Sequence, residues 1–319
     1  MTIRTGIGID VGGTFTKIAV IEGSGRLIRE IEVPTQAARP APEFVGRISS
    51  MLGLLETDLG QEFAAVGLGL AGDVDSERGV LRFAPSLKGW NNFNFKAAFS
   101  KRLRRPVVID NDANVAVWGG YVMELKSRPK NVIGVTLGTG VGGGVIVDGK
   151  LYRGSTGSAG EIGHTRVESP GAPCRCGARG CLEAYAGSYG IVRSARQALR
   201  KAGGKKSLLR EIASTPGRLD PLAISVAAAQ GDPIAREVWD KTARYLAVGM
   251  TNLVLVFNPD VILILGGVSR AGDLLIKPIM KELKSQPFRT PFDHVSIRIA
   301  KNQNWGCVGA ALLALDAAR

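Results

Sequence analysis

A glycine-turned hairpin occurs twice in this chain, and any fold that accommodates it must build the same unit twice. Ile7-Gly8-Ile9-Asp10-Val11-Gly12-Gly13-Thr14 is answered by Ile133-Gly134-Val135-Thr136-Leu137-Gly138-Thr139-Gly140. The returning strands repeat as well, Val20-Ile21-Glu22-Gly23 being matched by Ile146-Val147-Asp148-Gly149. Self-similarity on this scale marks a duplicated unit, although a strand–Gly turn–strand pattern alone can match by chance.

Around the first copy, Gly23-Ser24-Gly25 turns the chain into a strand from Leu27 to Val33. A helix over Pro42 to Leu59 and strands at Val66 to Leu70 and Val107 to Asp110 follow. Asn111-Asp112-Ala113-Asn114 then opens a helix running to about Leu125. After the second copy come a helical run from Ala184 to Phe257, a buried strand from Val261 to Leu265 and a last helix from Trp305 to Ala317. The expected fold class is α/β in two domains, for which 319 residues are ample. A smaller N-terminal domain is expected over 1–120 and a larger one over 121–304, with the helix at 305–319 packing back on the first. A hinge is expected near Trp118 to Arg128.

No N-terminal stretch joins a basic start to an apolar core, and the apolar runs are far too short to span a bilayer. The expectation is a cytoplasmic protein with no membrane partner. The net charge of +13 gathers at Lys101, Arg102, Arg104 and Arg105 and along Arg193 to Arg210. Neither cluster is interleaved with aromatics, so both read as solvated helix faces rather than a specific nucleic-acid surface. The sign suits phosphate ligands.

Three constellations carry chemistry. In Asp10-x-Gly12-Gly13-Thr14, glycines let backbone N–H groups approach a phosphate, Thr14 adds a hydroxyl, and Asp10 at a strand end can hold Mg²⁺ through water. The second copy, Gly138-Thr139-Gly140, makes a clamp on a nucleotide's phosphates from both sides the better reading. Gly266-Gly267-Val268 would then wall the adenine. Neither a P-loop nor a dinucleotide fingerprint is present. In Asp110-Asn111-Asp112, three polar residues after a buried strand exceed what a helix cap needs. Asp112 can accept a hydroxyl proton while Asn111 orients the same substrate.

The third constellation is His164, Cys174, Cys176 and Cys181, with nine, one and four residues between them. Cysteines so crowded, with a His nearby, read as a tetrahedral Cys₃His zinc site rather than disulfides. Four protein ligands leave no open position, so the zinc is expected to be structural, shaping the loop that carries Glu161 and Glu183. Both carboxylates suit vicinal hydroxyls, and the second ring nitrogen of His164 would be free to donate. Cys307, alone in an apolar helix, reads as core packing, and His294 is assigned no role.

Together these residues resemble the ROK family (repressors, open reading frames, kinases), a branch of the sugar kinase/Hsp70/actin ATPase superfamily. The resemblance runs from Asp10-Val11-Gly12-Gly13-Thr14 to Gly266-Gly267-Val268. Its most specific part is Gly160-Glu161-Ile162-Gly163-His164 through Cys174-Arg175-Cys176-Gly177-Ala178-Arg179-Gly180-Cys181-Leu182-Glu183. It implies two ribonuclease H-like, actin-like ATPase domains closing around a central cleft on ATP and a hexose. Asp112 is implied as general base on the sugar's 6-hydroxyl, with Gly72, Ser86, Asn111, Glu161, His164 and Glu183 as sugar contacts. Lys17 joins Asp10, Gly12, Gly13, Thr14, Gly138, Thr139, Gly140, Gly266 and Gly267 on the nucleotide side.

The hairpin begins by Gly6, which leaves no room ahead of it for the winged-helix domain of the family's repressors. The expectation is therefore an ATP- and Mg²⁺-dependent hexose 6-kinase of the glucokinase type, glucose preferred, acting as a homodimer. One departure bears on the acceptor. Many family kinases carry Pro-Asn-Leu before Gly-Trp, whereas this chain has Pro85-Ser86-Leu87-Lys88-Gly89-Trp90. Mannose, fructose or an N-acetylhexosamine as acceptor, inorganic polyphosphate as donor and a sugar-responsive regulator are the alternatives.

Overall fold

In two strands of the first sheet, Thr5–Val11 and Ala65–Leu70, large side chains alternate with glycines, and the alternation sets what covers each face. The structure, a computed structural model, describes residues 4–302 and 305–318. β1 (Thr5–Val11), β2 (Phe15–Glu22), β3 (Leu27–Pro34), β4 (Ala65–Leu70) and β8 (Val107–Asn111) form one sheet in the order β3-β2-β1-β4-β8. β1, β4 and β8 are parallel, and β1-β2-β3 is an antiparallel meander. Ile7, Ile9 and Val11 join Val66, Leu68 and Leu70 against Phe44, Val45, Ile48 and Leu52 of helix α1 (Ala41–Leu59). On the opposite face lies α11 (Trp305–Ala317). A Cβ on Gly8 would stand 1.7 Å from the Cys307 carbonyl oxygen, and one on Gly67 1.9 Å from that of Ala310. Helix backbone therefore lies directly on strand backbone, an approach only glycine permits.

Between β4 and β8 a small sheet is formed by β5 (Asp73–Asp75), β6 (Val80–Phe83) and β7 (Phe93–Asn94), followed by α2 (Phe95–Leu103). Trp90, Phe95 and Phe99 pack around Phe44. α3 (Asp112–Met123) runs beside α11, and a Cβ on Gly309 would meet the Val115 carbonyl at 1.8 Å.

In the second unit, β9 (Val132–Leu137), β10 (Val141–Val147), β12 (Val261–Leu265) and β13 (Ser296–Ile299) run in the order β10-β9-β12-β13, with β10 antiparallel to its neighbour. The helical stretch expected from Ala184 to Phe257 is broken into α4 (Glu183–Ala186), α5 (Ser188–Lys201), α6 (Leu208–Ser214), α7 (Pro221–Ala229) and α8 (Pro233–Phe257). Glycines and helix-capping acids make the breaks. Asp232 caps α8, accepting from Ile234 and Ala235 N–H at 2.9 Å each, and also takes the Leu209 N–H of α6 at 3.0 Å. The buried face of α8, with Val238, Trp239, Leu246 and Met250, forms the core against β9 and β12. α9 (Asp273–Lys284) and α10 (Arg289–His294) complete this unit.

The contacts divide the described chain into one unit of 4–128, 149–160 and 305–318, and another of 129–148 and 161–302. Relative to the expected 1–120 with the helix at 305–319, and 121–304, the boundary falls after 128 and the segment 149–160 goes with the first unit. α3 is continuous through Trp118 to Met123, and strand β11 (Lys150–Tyr152) lies in the segment that goes with the first unit. That segment is tied there because Arg153 Nε donates to Asp110 at 2.7 Å and Ser158 Oγ to Asp73 at 2.8 Å. Among the described residues, no helix is long and apolar enough to cross a membrane.

Candidate functional site

Strand register gathers the first set of residues. Asp10 lies opposite Gly69, and Gly69 opposite Asp110, so the loops after β1, β4 and β8 leave one edge of the sheet together. In open α/β sheets, ligands bind at the carboxyl ends of the parallel strands. Asp10, Gly72, Asn111 and Asp112 all belong to this edge. Burial pushes the Asp10 carboxyl above its usual range, and Lys17, its cross-strand neighbour, pulls it partly back. α11 begins against the same carboxylate, where a Cβ on Gly306 would lie 2.6 Å from Asp10 Oδ2.

The Gly12-Gly13-Thr14 turn is held by its own backbone and by the end of β3. Gly12 N–H donates to Phe15 O at 3.0 Å, Thr35 Oγ1 donates to Gly12 O at 2.7 Å, and Thr35 N–H to Thr14 O at 2.8 Å. Thr14 is exposed. Ser86 stands against this turn, since a Cβ on Gly13 would come 2.8 Å from Ser86 Cβ. Two motifs far apart in sequence thus adjoin.

The run Asp110-Asn111-Asp112 divides into three roles. Asp110, 1% exposed, accepts from Asn111 N–H, Asn114 Nδ2 and Arg153 Nε at 2.8, 2.9 and 2.7 Å. A carboxylate so satisfied holds structure together. Asn111 is the cap of α3, its Oδ1 accepting from Ala113 and Asn114 N–H at 2.8 and 3.2 Å. Its Nδ2 donates to Gly72 O at 3.0 Å, which leaves one amide hydrogen. Asp112, in the first turn of α3, is half-buried, and its Oδ1 accepts from Ala113 N–H at 2.9 Å. The helix N-terminus stabilises negative charge there.

In the second unit, Thr136 lies opposite Leu265, so Gly138-Thr139-Gly140 and Gly266-Gly267 leave the same edge of their own sheet. Gly266, at φ +91°, sits where a Cβ would strike the Leu137 carbonyl at 2.3 Å. Gly267 is exposed and has nothing around its Cβ position. Ser188, at the start of α5, pins the hairpin by donating Oγ and N–H to Gly138 O at 2.7 and 3.0 Å.

Val141 connects this hairpin to the cysteines. Its N–H donates to Glu183 Oε2 at 3.1 Å, while a Cβ on Gly163 would stand 1.9 Å from its carbonyl oxygen. The turn that carries His164 is thereby pressed against β10. The Tyr189 hydroxyl lies 3.2 Å from Glu183 Oε1 and 3.5 Å from Cys174 Sγ, and Cys174 Sγ lies 3.6 Å from Glu183 Oε1. Glu183, read as a partner for ligand hydroxyls, has both oxygens engaged inside the protein. Neither Tyr189 nor Arg153 stood out in the sequence, and no motif marks them. Ser188 was detectable as a hydroxyl at a helix start after Gly187.

His164 Nδ1 and the three sulfurs of Cys174, Cys176 and Cys181 all lie within 4.8 Å of one another. The Cys176–Cys181 sulfur separation of 3.8 Å is far beyond a disulfide. It does match a tetrahedral edge, since zinc–sulfur bonds of about 2.3 Å put sulfurs about 3.8 Å apart. Cys174 and Cys181 are buried and Cys176 is exposed. Burial and the adjacent thiols push Cys181 up to about 12. The donor set fits a soft, four-coordinate cation. His164 Nε2 points to the other side, 4.0 Å from Glu161 Oε2, and both residues are exposed. His294 is an exposed partner of Asp260 at 3.0 Å, and Cys307 is packed against Ala19 and Ile21.

The sequence model of the ROK family matches residues 6–317. The chain belongs to the ROK family. This ROK chain is 36% identical over 316 residues to the glucokinase of Streptomyces coelicolor, 97% of each chain being covered. It is 34% identical over 277 residues to the glucokinase of Thermotoga maritima, covering 87% of this chain and 86% of that one. A solved ROK family glucokinase from Streptomyces griseus, in complex with glucose and AMPPNP, matches with a TM-score of 0.82 at 35% identity, covering 98% and 99% of the two chains. The α/β architecture is accordingly that of ROK sugar kinases, the actin-like ATPase fold.

Proposed function

We propose that this ROK protein is a glucokinase, transferring the γ-phosphoryl group of ATP to the 6-hydroxyl of glucose. One observation carries the reading: a half-buried carboxylate, Asp112, lies at the strand edge that also holds Asp10 and the Gly12-Gly13-Thr14 turn. Near-full-length similarity to glucokinases supports it.

In this reading Asp112 takes the proton of the 6-hydroxyl as that oxygen attacks phosphorus, and the remaining Asn111 amide hydrogen orients the sugar. Gly72, Ser86, Glu161 and His164 complete the sugar-binding set, joined by Glu183 through Oε2, which has one acceptor position left beside the Val141 N–H. Gly12, Gly13, Thr14, Lys17, Gly138, Thr139, Gly140, Gly266 and Gly267 serve the nucleotide. Asp10, half-buried at a strand end, suits Mg²⁺, because a bound cation would offset the burial that disfavours its charge. Bound Mg²⁺ supplies charge neutralisation at the phosphates. Zinc on His164, Cys174, Cys176 and Cys181 supplies rigidity to the loop, and His164 Nε2–H then remains a donor. Reduced thiols and an ATP supply both suit the cytoplasm.

Asp112→Asn and Asp112→Ala should lower turnover about 10²–10⁴-fold in a coupled kinase assay. Glucose affinity by calorimetry should stay within a few-fold. Near wild-type turnover from folded Asp112→Asn protein refutes the assignment. Ser86 favours a second reading in acceptor choice alone, which initial rates across glucose, mannose, fructose and N-acetylhexosamines decide.

A further inference from the structure

A concave site lies in the second unit, beside the cysteine loop. It is a cavity of about 360 Å³ walled by that loop, α5 and α8. Arg179 comes from the loop between Cys176 and Cys181, Arg193 from α5 and Lys241 from α8. Ser194, Gln197, Thr242 and the largely buried Tyr185 complete the polar lining.

Three cations on three separate elements face one small space, and no carboxylate lines it. Arg193 is fixed in place, with Nη1 donating to Pro173 O at 3.0 Å and Nη2 to Ala184 O. Those acceptors are neutral carbonyls, so its charge is positioned but not cancelled. Among the described residues neither Arg179, Arg193 nor Lys241 forms a salt bridge. Glu168 accepts from the Tyr185 and Tyr245 hydroxyls, and the charge of Lys241 also acts on it, but Glu168 is not part of the lining. Tyr185 and Tyr245 are stacked with ring centroids 3.7 Å apart, which makes that wall rigid.

We propose that this cavity binds a phosphorylated small molecule, its phosphate monoester held by Arg179, Arg193 and Lys241 and its hydroxyl-bearing body by Ser194 and Gln197. A guanidinium held by carbonyls is a preorganised partner for a dianion, and two further cations complete its charge. The volume is that of a metabolite site rather than of a bare anion. The inference does not depend on the kinase reading, since none of these residues belongs to the proposed reaction site.

Calorimetric titration of the full chain with glucose 6-phosphate and, separately, with inorganic phosphate tests it. The protein is first saturated with glucose and a non-hydrolysable ATP analogue, so that the proposed reaction site is filled. Saturable binding of the ester is expected, at least tenfold tighter than inorganic phosphate. Arg179→Ala and Lys241→Ala should each weaken it several-fold. Gln197→Glu, an isosteric change at an exposed residue, should do the same with no risk to folding. Glucose affinity should not move in any of the three. Ester binding unaffected by all three variants, or inorganic phosphate bound as tightly as the ester, overturns the proposal. So does an unchanged titration accompanied by altered sedimentation, which would make the cavity a subunit contact.

Discussion

Glu183 is the most informative residue to perturb, because it joins the glycine hairpin to the cysteine cluster. In Glu183→Ala the Val141 N–H loses its acceptor at 3.1 Å and the Tyr189 hydroxyl loses one at 3.2 Å. A hydrogen bond to a charged acceptor contributes about 1.5–3 kcal/mol. Glu183 is only half-buried, so the lower end applies, about 1.5 kcal/mol at each oxygen. Glu183→Gln should behave differently. Its carbonyl can turn to Val141 N–H and its amide to the Tyr189 oxygen, which keeps both links as neutral bonds of about 0.5–1.5 kcal/mol. Hydrogen exchange reads the outcome where it occurs. Peptides containing Val141 should exchange about tenfold faster in Glu183→Ala, and a few-fold faster in Glu183→Gln, than in the parent. Nucleotide affinity should fall in the same order. Unchanged exchange at Val141 in Glu183→Ala, or equal effects of the two substitutions, would refute the linkage.

Gly8→Ala places a methyl group 1.7 Å from the Cys307 carbonyl oxygen, so α11 must lift from the sheet; a loss of about 3 kcal/mol is expected in urea unfolding, and parent-like stability would contradict the packing. Asp232→Ala strips three backbone N–H groups of their acceptor and should cost about 3 kcal/mol at neutral pH. Burial alone would raise the Asp232 carboxyl, but Ala235 and Leu209 N–H, the Ser207 hydroxyl and Ile234 N–H hold it below its usual range. With the folded pKa depressed, that stabilisation is complete above the unfolded value of about 3.9 and is lost as pH falls through the folded value. The gap between parent and Asp232→Ala should therefore narrow in acid, and a gap that widens would reverse the argument. Metal analysis should find one zinc per chain, and its removal by a chelator should lower Tm and speed exchange around 161–183; unchanged Tm after verified metal loss would count against a structural role.

What was legible in the sequence is what short-range chemistry dictates. Both hairpins, the strand Val261 to Leu265 and the helix from Trp305 to Ala317 are where glycine turns and apolar periodicity put them. The His/Cys cluster was legible because thiol spacing is itself a geometric statement, and the sulfurs do converge. Other features depend on partners distant in the chain. Nothing local in Asp110-Asn111-Asp112 says that Arg153 will satisfy the first residue or that Gly72 will hold the second. The expected 121–304 domain took in 149–160, yet hydrogen bonds of Arg153 to Asp110 and Ser158 to Asp73 hold that segment with the first unit. The subdivision between Ala184 and Phe257 was visible as glycines and capping acids, but a continuous apolar rhythm masks such breaks. The small sheet β5-β6-β7 was missed because its strands are too short for alternation to register.

The placement of α11 has a consequence for biogenesis. The N-terminal sheet exposes Gly8 and Gly67 on a face whose cover is encoded beyond residue 304. During translation that face stays uncapped until α11 has emerged, which comes after the whole of the intervening unit has been made. The half bearing Asp112 therefore waits for a helix encoded after the other unit, and a chain cut before Trp305 would lack the cover of its first sheet.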